Sequence, residues 1–400
     1  MAKSTEKNAG DFTWAHEIRW YCKNLDLFHF IFLVVIPVAI CFIAPHVALT
    51  RNSFLMALIL HIVGGMSITV DSLTSHTDTV PGYHRLWAHR SYTAHLVLQY
   101  FLAIMGAAQC QWSILWWVQH HRAHHQYTDT DKDPYDARRG LLFSHIGWLV
   151  GLSPAEWGKV DVSDLAMDPV VRWQRRYYVI IAILVCVGMP TAIAHFGWND
   201  WRGGLLYGGV GRTIVTHHST FLVNSIAHAP WAGYRPYSTK WTATNVPLVA
   251  ILAAGEGSHN FHHAFPRDYR NGIQWIELDW SRAVIELCEK LGIAWDLVIT
   301  SPDETNKGQR NHIEQAGLAT KITMDWKDYV HQADRGRCLI CIKDVVYDIA
   351  DFMTEHPGGA ELLQKFVGKD ATEGYLGDTH LHSTHADGLL ATRSIGVVNR

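Results

Sequence analysis

The chain has 400 residues, 48% of them hydrophobic, with 17 Trp and only 18% charged, a balance that leans toward a membrane protein. The formal net charge of −3 offers no basic surface and argues against a nucleic-acid partner; the whole excess lies in residues 321–400, where Asp and Glu outnumber Lys and Arg, so the first 320 residues are neutral. Seven scattered cysteines demand no disulfides, which suits a protein that faces the cytosol.

The first 25 residues (MAKSTEKNAGDFTW onward) are polar and carry no cleavable signal peptide. Residues 26–48, DLFHFIFLVVIPVAICFIAPHVA, are long and apolar enough to span a hydrocarbon core of about 30 Å. Residues 54–70, FLMALILHIVGGMSITV, follow after a short polar turn and are marginal in length, whereas the run at 177–198 is clear. A fourth run, 204–226, is interrupted by Arg212, His217 and His218, so it should face other helices rather than lipid. Four crossings put both termini on one side. Arg19 and Lys23 before the first span, and Arg172, Arg175 and Arg176 before the third, place that side in the cytosol.

Histidine is concentrated in three places: His84 and His89 in HRLWAH, His121, His124 and His125 in HHRAHH, and His259, His262 and His263 in HNFHH. With four crossings all three clusters fall on the face of the termini. On a helix, positions i, i+3 and i+4 share one side, so each H-x-x-H-H is expected to present three imidazoles to one point. The spacing of five between His84 and His89 leaves about 140° between them on a regular helix, and so requires a distorted helix or separate metals. A solvated polar helix face accounts for one such cluster seen alone, but not for three beside apolar spans. Eight imidazoles exceed the needs of one metal and suit two; neutral ligands without a thiolate leave iron, zinc, copper and nickel open.

The stretches GYHRLWAHRSY (82–92), HHRAHHQYTDTDKDPYDARRGLLFSHIGW (120–148) and GEGSHNFHHAFP (255–266) resemble the membrane acyl-CoA Δ9 (stearoyl-CoA) desaturases of the fungal type, over residues 55–300. The resemblance implies that the eight histidines hold two non-haem iron ions (Fe2+). It adds a ninth ligand, His228 in NSIAH, with Asn224 acting through water. It also implies that Gln111, Trp117 and Thr220 line a kinked acyl tunnel. Two features depart from it. Residues 70–80, VDSLTSHTDTV, look like a polar insertion after the second span, with His76 not a ligand, and His120 is an extra imidazole. His145, His217 and His218 are assigned to packing or to support of the ligands.

Residues 301–320 are polar and read as a linker. Beyond them YDIADFMTEHPGG, followed by GKDAT and HS, resembles a cytochrome b5 domain over 321–400. That resemblance implies haem b with His356 and His382 as axial ligands, His380 and His385 being close competitors. Two imidazoles leave no open coordination position, so such a haem carries electrons. The acidic excess of the tail suits docking on a basic reductase. Cys338 and Cys341 form a lone C-x-x-C without the second pair that zinc would want, in a stretch that reads as strand.

The expected architecture is an all-α integral membrane domain over 26–300, with four transmembrane helices and a cytosolic histidine-rich helical cap, joined to a small α+β cytochrome b5-like haem domain. The implied activity is insertion of a cis double bond between C9 and C10 of palmitoyl- or stearoyl-CoA. O2 is the oxidant, and electrons come from an NADH-cytochrome b5 reductase through the fused haem domain. The expected location is the endoplasmic reticulum membrane, in contact with lipid, with both termini and the active site in the cytosol. Arg138 and Arg139 are candidates for the CoA phosphates, against a reading as ordinary positive-inside loop charges. Three rival readings fit the sequence less well. A sterol- or carotenoid-type hydroxylase matches the boxes less well, and a front-end or sphingolipid desaturase usually carries its haem domain at the other end. A haem carrier with a dead histidine domain is disfavoured by the intact histidine set.

Overall fold

The computed structural model describes residues 21, 23–69, 83–151, 157–273, 277–306, 308–309, 322–376, 390 and 393–399. Residues 70–80 with His76, most of the segment 1–25, the linker beyond residue 309, and His380, His382 and His385 lie outside them. The chain forms two compact units, one ending at Ile299 and the other running from Thr300.

The first unit is helical. Helices α1 (Leu27–His46), α2 (Arg51–Thr69), α3 (Leu96–Ala107), α4 (Ile114–Tyr127), α5 (Pro169–Trp198), α6 (Arg212–Ser225), α7 (His259–Ala264) and α8 (Trp280–Lys290) carry its core and its site. Three of these, α1, α2 over Arg51–Ile68, and α5, are long and apolar enough to cross a membrane. In α1 and α5 an i→i+5 segment, Ile31–Val35 and Ile183–Gly188, lies just before Pro37 and Pro190. Proline lacks the N–H that would close the regular i→i−4 ladder, so the turn before it widens.

The fourth expected span is helical, through Trp201–Gly203, Gly204–Gly211 and α6, but it does not meet the same apolar standard. Its breakers are turned inward as expected. Arg212 is buried; its guanidinium donates to the Gln109 side chain, to Ala108 O at 3.1 Å and to Gly208 O at 2.9 Å. His217 Nε2 meets Gln109 O at 2.6 Å. The approach is close because glycine allows it. A Cβ at Gly208 would lie 2.5 Å from Met56 Cε of α2 and 2.9 Å from Pro190 Cβ of α5. The apolar helix α3, absent from the expected set, packs on α2 and α5. A two-stranded ribbon, β1 (Thr93–Ala94) with β2 (Ala294–Trp295), ties the segment after the first histidine box to the end of the unit.

The second unit is a four-stranded sheet of order β3-β6-β5-β4, with β3 (Ile322–Asp325) parallel to β6 (Ser394–Asn399), and β5 (Val345–Asp348) antiparallel to both β6 and β4 (Leu339–Ile342). Helices α9 (Trp326–Asp334), α10 (Ala360–Gln364) and α11 (Thr372–Leu376) accompany it. Lys343 and Asp344, at φ 50° and 62°, make the tight turn that joins β4 to β5. Alternation splits the sheet: Ile340, Ile342 and Val345 pack on one face, and Leu339, Cys341 and Val346 on the other under Tyr329. Cys338 belongs with the first face and Cys341 with the second, so the pair does not face one ion.

Candidate metal centre and cavity

The first histidine box forms an i→i+5 turn, Tyr83–Ala88, closed by His89 N–H donating to His84 O at 3.1 Å. Of the two arrangements that the spacing of five allowed, a distorted helix or separate metals, this is the distorted helix. It brings the two rings to 5.0 Å, on one side of the chain. The second box ends α4, whose N-terminus Ser113 caps by accepting Trp116 N–H. The third box is α7, held at its start by Asn245 Oδ1, which accepts Asn260 N–H at 2.9 Å.

The two H-x-x-H-H forks do not converge as expected; each is divided. His84, His89, His121, His125 and His262 form one group, and His124, His228, His259 and His263 another, with ligand atoms in each within 4.8 Å of one another. At 3.6 residues per turn, i and i+4 differ by about 40°, whereas i+3 lies about 60° to the other side of i. So the i/i+4 pair of α4 (His121, His125) serves the first group and its i+3 histidine (His124) the second. In α7 the roles reverse: His259 and His263 form the pair, and His262 crosses over. The sequence alone could not separate these roles, because they depend on how the two helices face each other.

Within and between these rings the Nε2 atoms approach closely: His89–His121 at 2.7 Å, His125–His262 at 2.9 Å, His228–His259 at 3.0 Å, His84–His262 and His259–His263 at 3.1 Å, and His124–His263 at 3.2 Å. Two nitrogens each about 2.1 Å from one ion and at right angles to it are about 3 Å apart, so these spacings fit ligands of a common cation. Burial first, and neighbouring imidazoles second, push His89, His121, His125, His259, His262 and His263 well below the usual histidine pKa. Neutral rings keep the lone pair that a metal needs. The residues therefore fit two metal ions, one on five imidazoles and one on four.

Arg85, buried between His84 and Leu86, braces the first box against the third. It donates to Glu256 at 3.0 Å, to Asp279 at 2.8 Å and to Tyr269 O at 2.7 Å. Burial acts to raise the Glu256 carboxyl, but His84 and Arg85 outweigh it and hold the group below its ordinary range. Neither Arg85 nor Glu256 was singled out from the sequence, although both sit inside the quoted boxes.

A cavity of about 560 Å³ opens beside the histidines, with His84, His121, His124 and His259 in its wall and mostly apolar side chains elsewhere. Trp117, Thr220 and Asn224 line it, and Trp117 stacks on His121 with centroids 4.9 Å apart. Gln111 is not in the wall itself but donates to Thr220 Oγ1 at 2.9 Å. It is flanked by Cys110 and Trp112 at φ 55° and 70°, left-handed backbone that is costly for such residues and marks a constrained turn. His61 of α2 also lines the cavity and meets Thr216 Oγ1 at 2.9 Å. The signal for it in the sequence was one histidine amid an apolar span.

Arg138 and Arg139 do not line this cavity. Arg138 pairs with Asp131 at 2.6 Å and Asp136 at 2.8 Å, and Arg139 stands 3.5 Å over the Phe143 ring. The spare histidines are engaged elsewhere: His120 Nδ1 on Trp116 O at 2.7 Å, and His145 between His218 and Ser225, each at 2.9 Å. In the second unit His356 is half-buried, its ring centroid 5.8 Å from that of Phe352, and its Nδ1 accepts Gly358 N–H at 3.1 Å. With Nδ1 so engaged, Nε2 is the atom that would hold a haem.

Comparison with known proteins gives two family matches: "Fatty acid desaturase" over residues 82–296 and "Cytochrome b5-like Heme/Steroid binding domain" over residues 325–399. The chain is 37% identical over 365 residues to Acyl-CoA desaturase 1 of Saccharomyces cerevisiae, covering 88% of this chain and 69% of that protein. It is 36% identical to a probable acyl-CoA desaturase of Schizosaccharomyces pombe, covering 96% of this chain and 79% of the other. With a Delta(9)-fatty-acid desaturase of Caenorhabditis elegans it shares 35% identity, over 65% of this chain and 75% of the relative.

Proposed function

From the premise that the chain belongs to the fatty acid desaturase family and carries a C-terminal cytochrome b5 domain, we propose that it is an acyl-CoA Δ9 desaturase fed with electrons by its own haem domain. Its substrates are saturated acyl-CoA and O2, and its product is a cis alkene between C9 and C10. The observation that carries this reading is the pair of imidazole groups, five and four, opening onto one largely apolar cavity.

His84, His89, His121, His125 and His262 would hold one iron ion, and His124, His228, His259 and His263 the other, with Asn224 of the cavity wall acting on the metal centre through water. When bound, the iron pair supplies the activation of dioxygen and the removal of hydrogen from unactivated methylenes, chemistry beyond side-chain acids and bases. Haem b on His356 and His382 would supply electrons one at a time. Dioxygen takes four electrons and ends as two waters: two electrons come from the substrate and two through the haem, with two protons from solvent. The protein's own part is positional. Trp117, and Thr220 held by Gln111, fix the bend of the chain beside the histidines, and the apolar wall keeps water from the reacting carbons. Arg85 keeps the first and third boxes in register.

In this reading α1, α2, α5 and the helix through α6 make four crossings of the endoplasmic reticulum membrane, with both termini and the histidines on the cytosolic side. An NADH-cytochrome b5 reductase docks on the acidic tail. Arg138 and Arg139, engaged locally, are the weakest of the proposed substrate contacts. The test is expression in a desaturase-deficient host, followed by gas chromatography of its lipids. New C16:1 and C18:1 chains with the bond at C9 are expected; a bond elsewhere, or a hydroxylated chain, would reject the assignment.

A further inference from the structure

The two imidazole groups differ in what stands behind them. His124 Nδ1 lies 2.9 Å from Asp133 Oδ1, a carboxylate that is almost fully buried and that otherwise, among the described residues, accepts the backbone N–H groups of Asp129 (3.1 Å) and Tyr135 (3.0 Å). His228 Nδ1 lies 2.9 Å from Thr242 Oγ1, and Thr242 gives both its hydroxyl and its backbone N–H to Asp129, each at 2.7 Å. An ionised carboxylate only accepts, so the Thr242 hydroxyl must donate to Asp129. Its oxygen is then left to accept from His228, which places the ring proton on Nδ1 and the lone pair on Nε2. Asp133 fixes the same tautomer in His124.

The backbone agrees with this arrangement. Asp129 sits at φ 61°, in the left-handed region, where it can turn its N–H to Asp133 and its carboxylate to Thr242 together. The DTDKD stretch after the second box thus acts as one device with two arms. Among the described residues, no cation is paired with Asp133 or Asp129. The five-histidine group has a different support: Glu256 stands 3.4 Å from His84 Nδ1 without the alignment of a hydrogen bond, and is itself taken up by Arg85 and Asn271.

We propose that Asp133, and Asp129 acting through the Thr242 hydroxyl, are positioning residues that hold a cation specifically on the four-histidine group of His124, His228, His259 and His263. The inference rests on the two-metal reading above. Anions behind neutral imidazoles raise ligand basicity and fix ring orientation, and removal of such partners lowers metal affinity about 10–100-fold. The effect should fall on one ion and spare the other, because the five-histidine group shares neither arm.

The measurement is bound iron, counted by plasma mass spectrometry on the purified full chain after equilibration with graded chelator. Wild type should release two ions per chain. In Thr242→Val one ion should leave at a chelator concentration about 10–100-fold lower while the other is unmoved, and Thr242→Ser should restore the wild-type curve. Asp133→Asn, whose amide oxygen can still accept from His124, should shift one ion by a smaller factor, separating charge from orientation. Size-exclusion profiles of each variant report folding apart from metal. If Thr242→Val moves neither ion, or moves both equally while the protein stays folded, the relay is overturned. If wild type itself holds fewer than two ions, the two-metal reading falls instead.

Discussion

In the helical unit Phe196 is 86% exposed, Val97 72% and Val38 52%, while Arg212, His217 and the clustered histidines are turned inward. In the C-terminal unit Leu339, Cys341 and Val346 are buried under Tyr329, and Lys327, Asp328, Lys343 and Asp344 stand in solvent. The inversion follows from the solvent. Water rewards burial of apolar surface, whereas hydrocarbon does not, so a span can leave leucines outside and must pair its polar groups within. Local rules of helix and strand are unchanged; the outer medium decides which face is hidden.

The comparison is broken most completely at the ligands. His124→Ala should abolish desaturation and cost one metal ion, and His262→Ala should cost the other, while both proteins insert in membranes and keep the haem spectrum. Full activity in either would sink the assignment of these groups. Next in size is separation of the units: a chain without residues 311–400 should keep its iron but turn over slowly, and added cytochrome b5 should restore part of the rate. A tethered donor works at an effective concentration in the mM range, which a diffusing one does not reach. Full turnover of the truncated chain in membranes free of other cytochrome b5 would deny the tail its role.

Smaller effects test the opposite burial rules. Leu339→Ala should destabilise the C-terminal unit by about 2–5 kcal/mol, read as loss of haem absorbance on heating, with iron in the other unit unchanged. Val38→Arg, at an exposed site near the middle of α1, should cost about 2.5–3.5 kcal/mol in an insertion assay. The least change is expected from Leu362→Ser, at an exposed leucine of the water-facing unit, where thermal unfolding should move by no more than about 0.5 kcal/mol. A large cost there, or none at Val38, would erase the distinction between the two solvents.

Much of this was legible in the chain. Apolar runs of twenty residues are detectable because a bilayer demands them, and the histidine boxes stand out because eight imidazoles at short spacing have few other uses. HPGG with GKDAT announced the second unit, and the stretch between Cys338 and Cys341 already read as strand. Other features were hidden for specific reasons. The apolar helix α3 is too short to register as a span. Glu256, Arg85 and Asp133 are ordinary charged residues until a partner stands opposite them. His61 reads as a flaw in a hydrophobic run until the cavity beside it is seen.

The sequence by itself determined which residue types could bind metal, which segments could cross a membrane, and that His84 and His89 needed either an irregular turn or separate metals. Only the tertiary structure decided how the forks are shared. A helix fixes the angles among His121, His124 and His125, but whether they grip one ion or two depends on where α7 crosses α4. That crossing sends His121 and His125 to meet His262, and His124 to meet His259 and His263. It also carries Thr242 to Asp129, across 113 positions of chain, where a hydroxyl can set the proton on His228. Spacing along the chain fixes the angles within each helix; the meeting of two helices is set by packing that no local window contains.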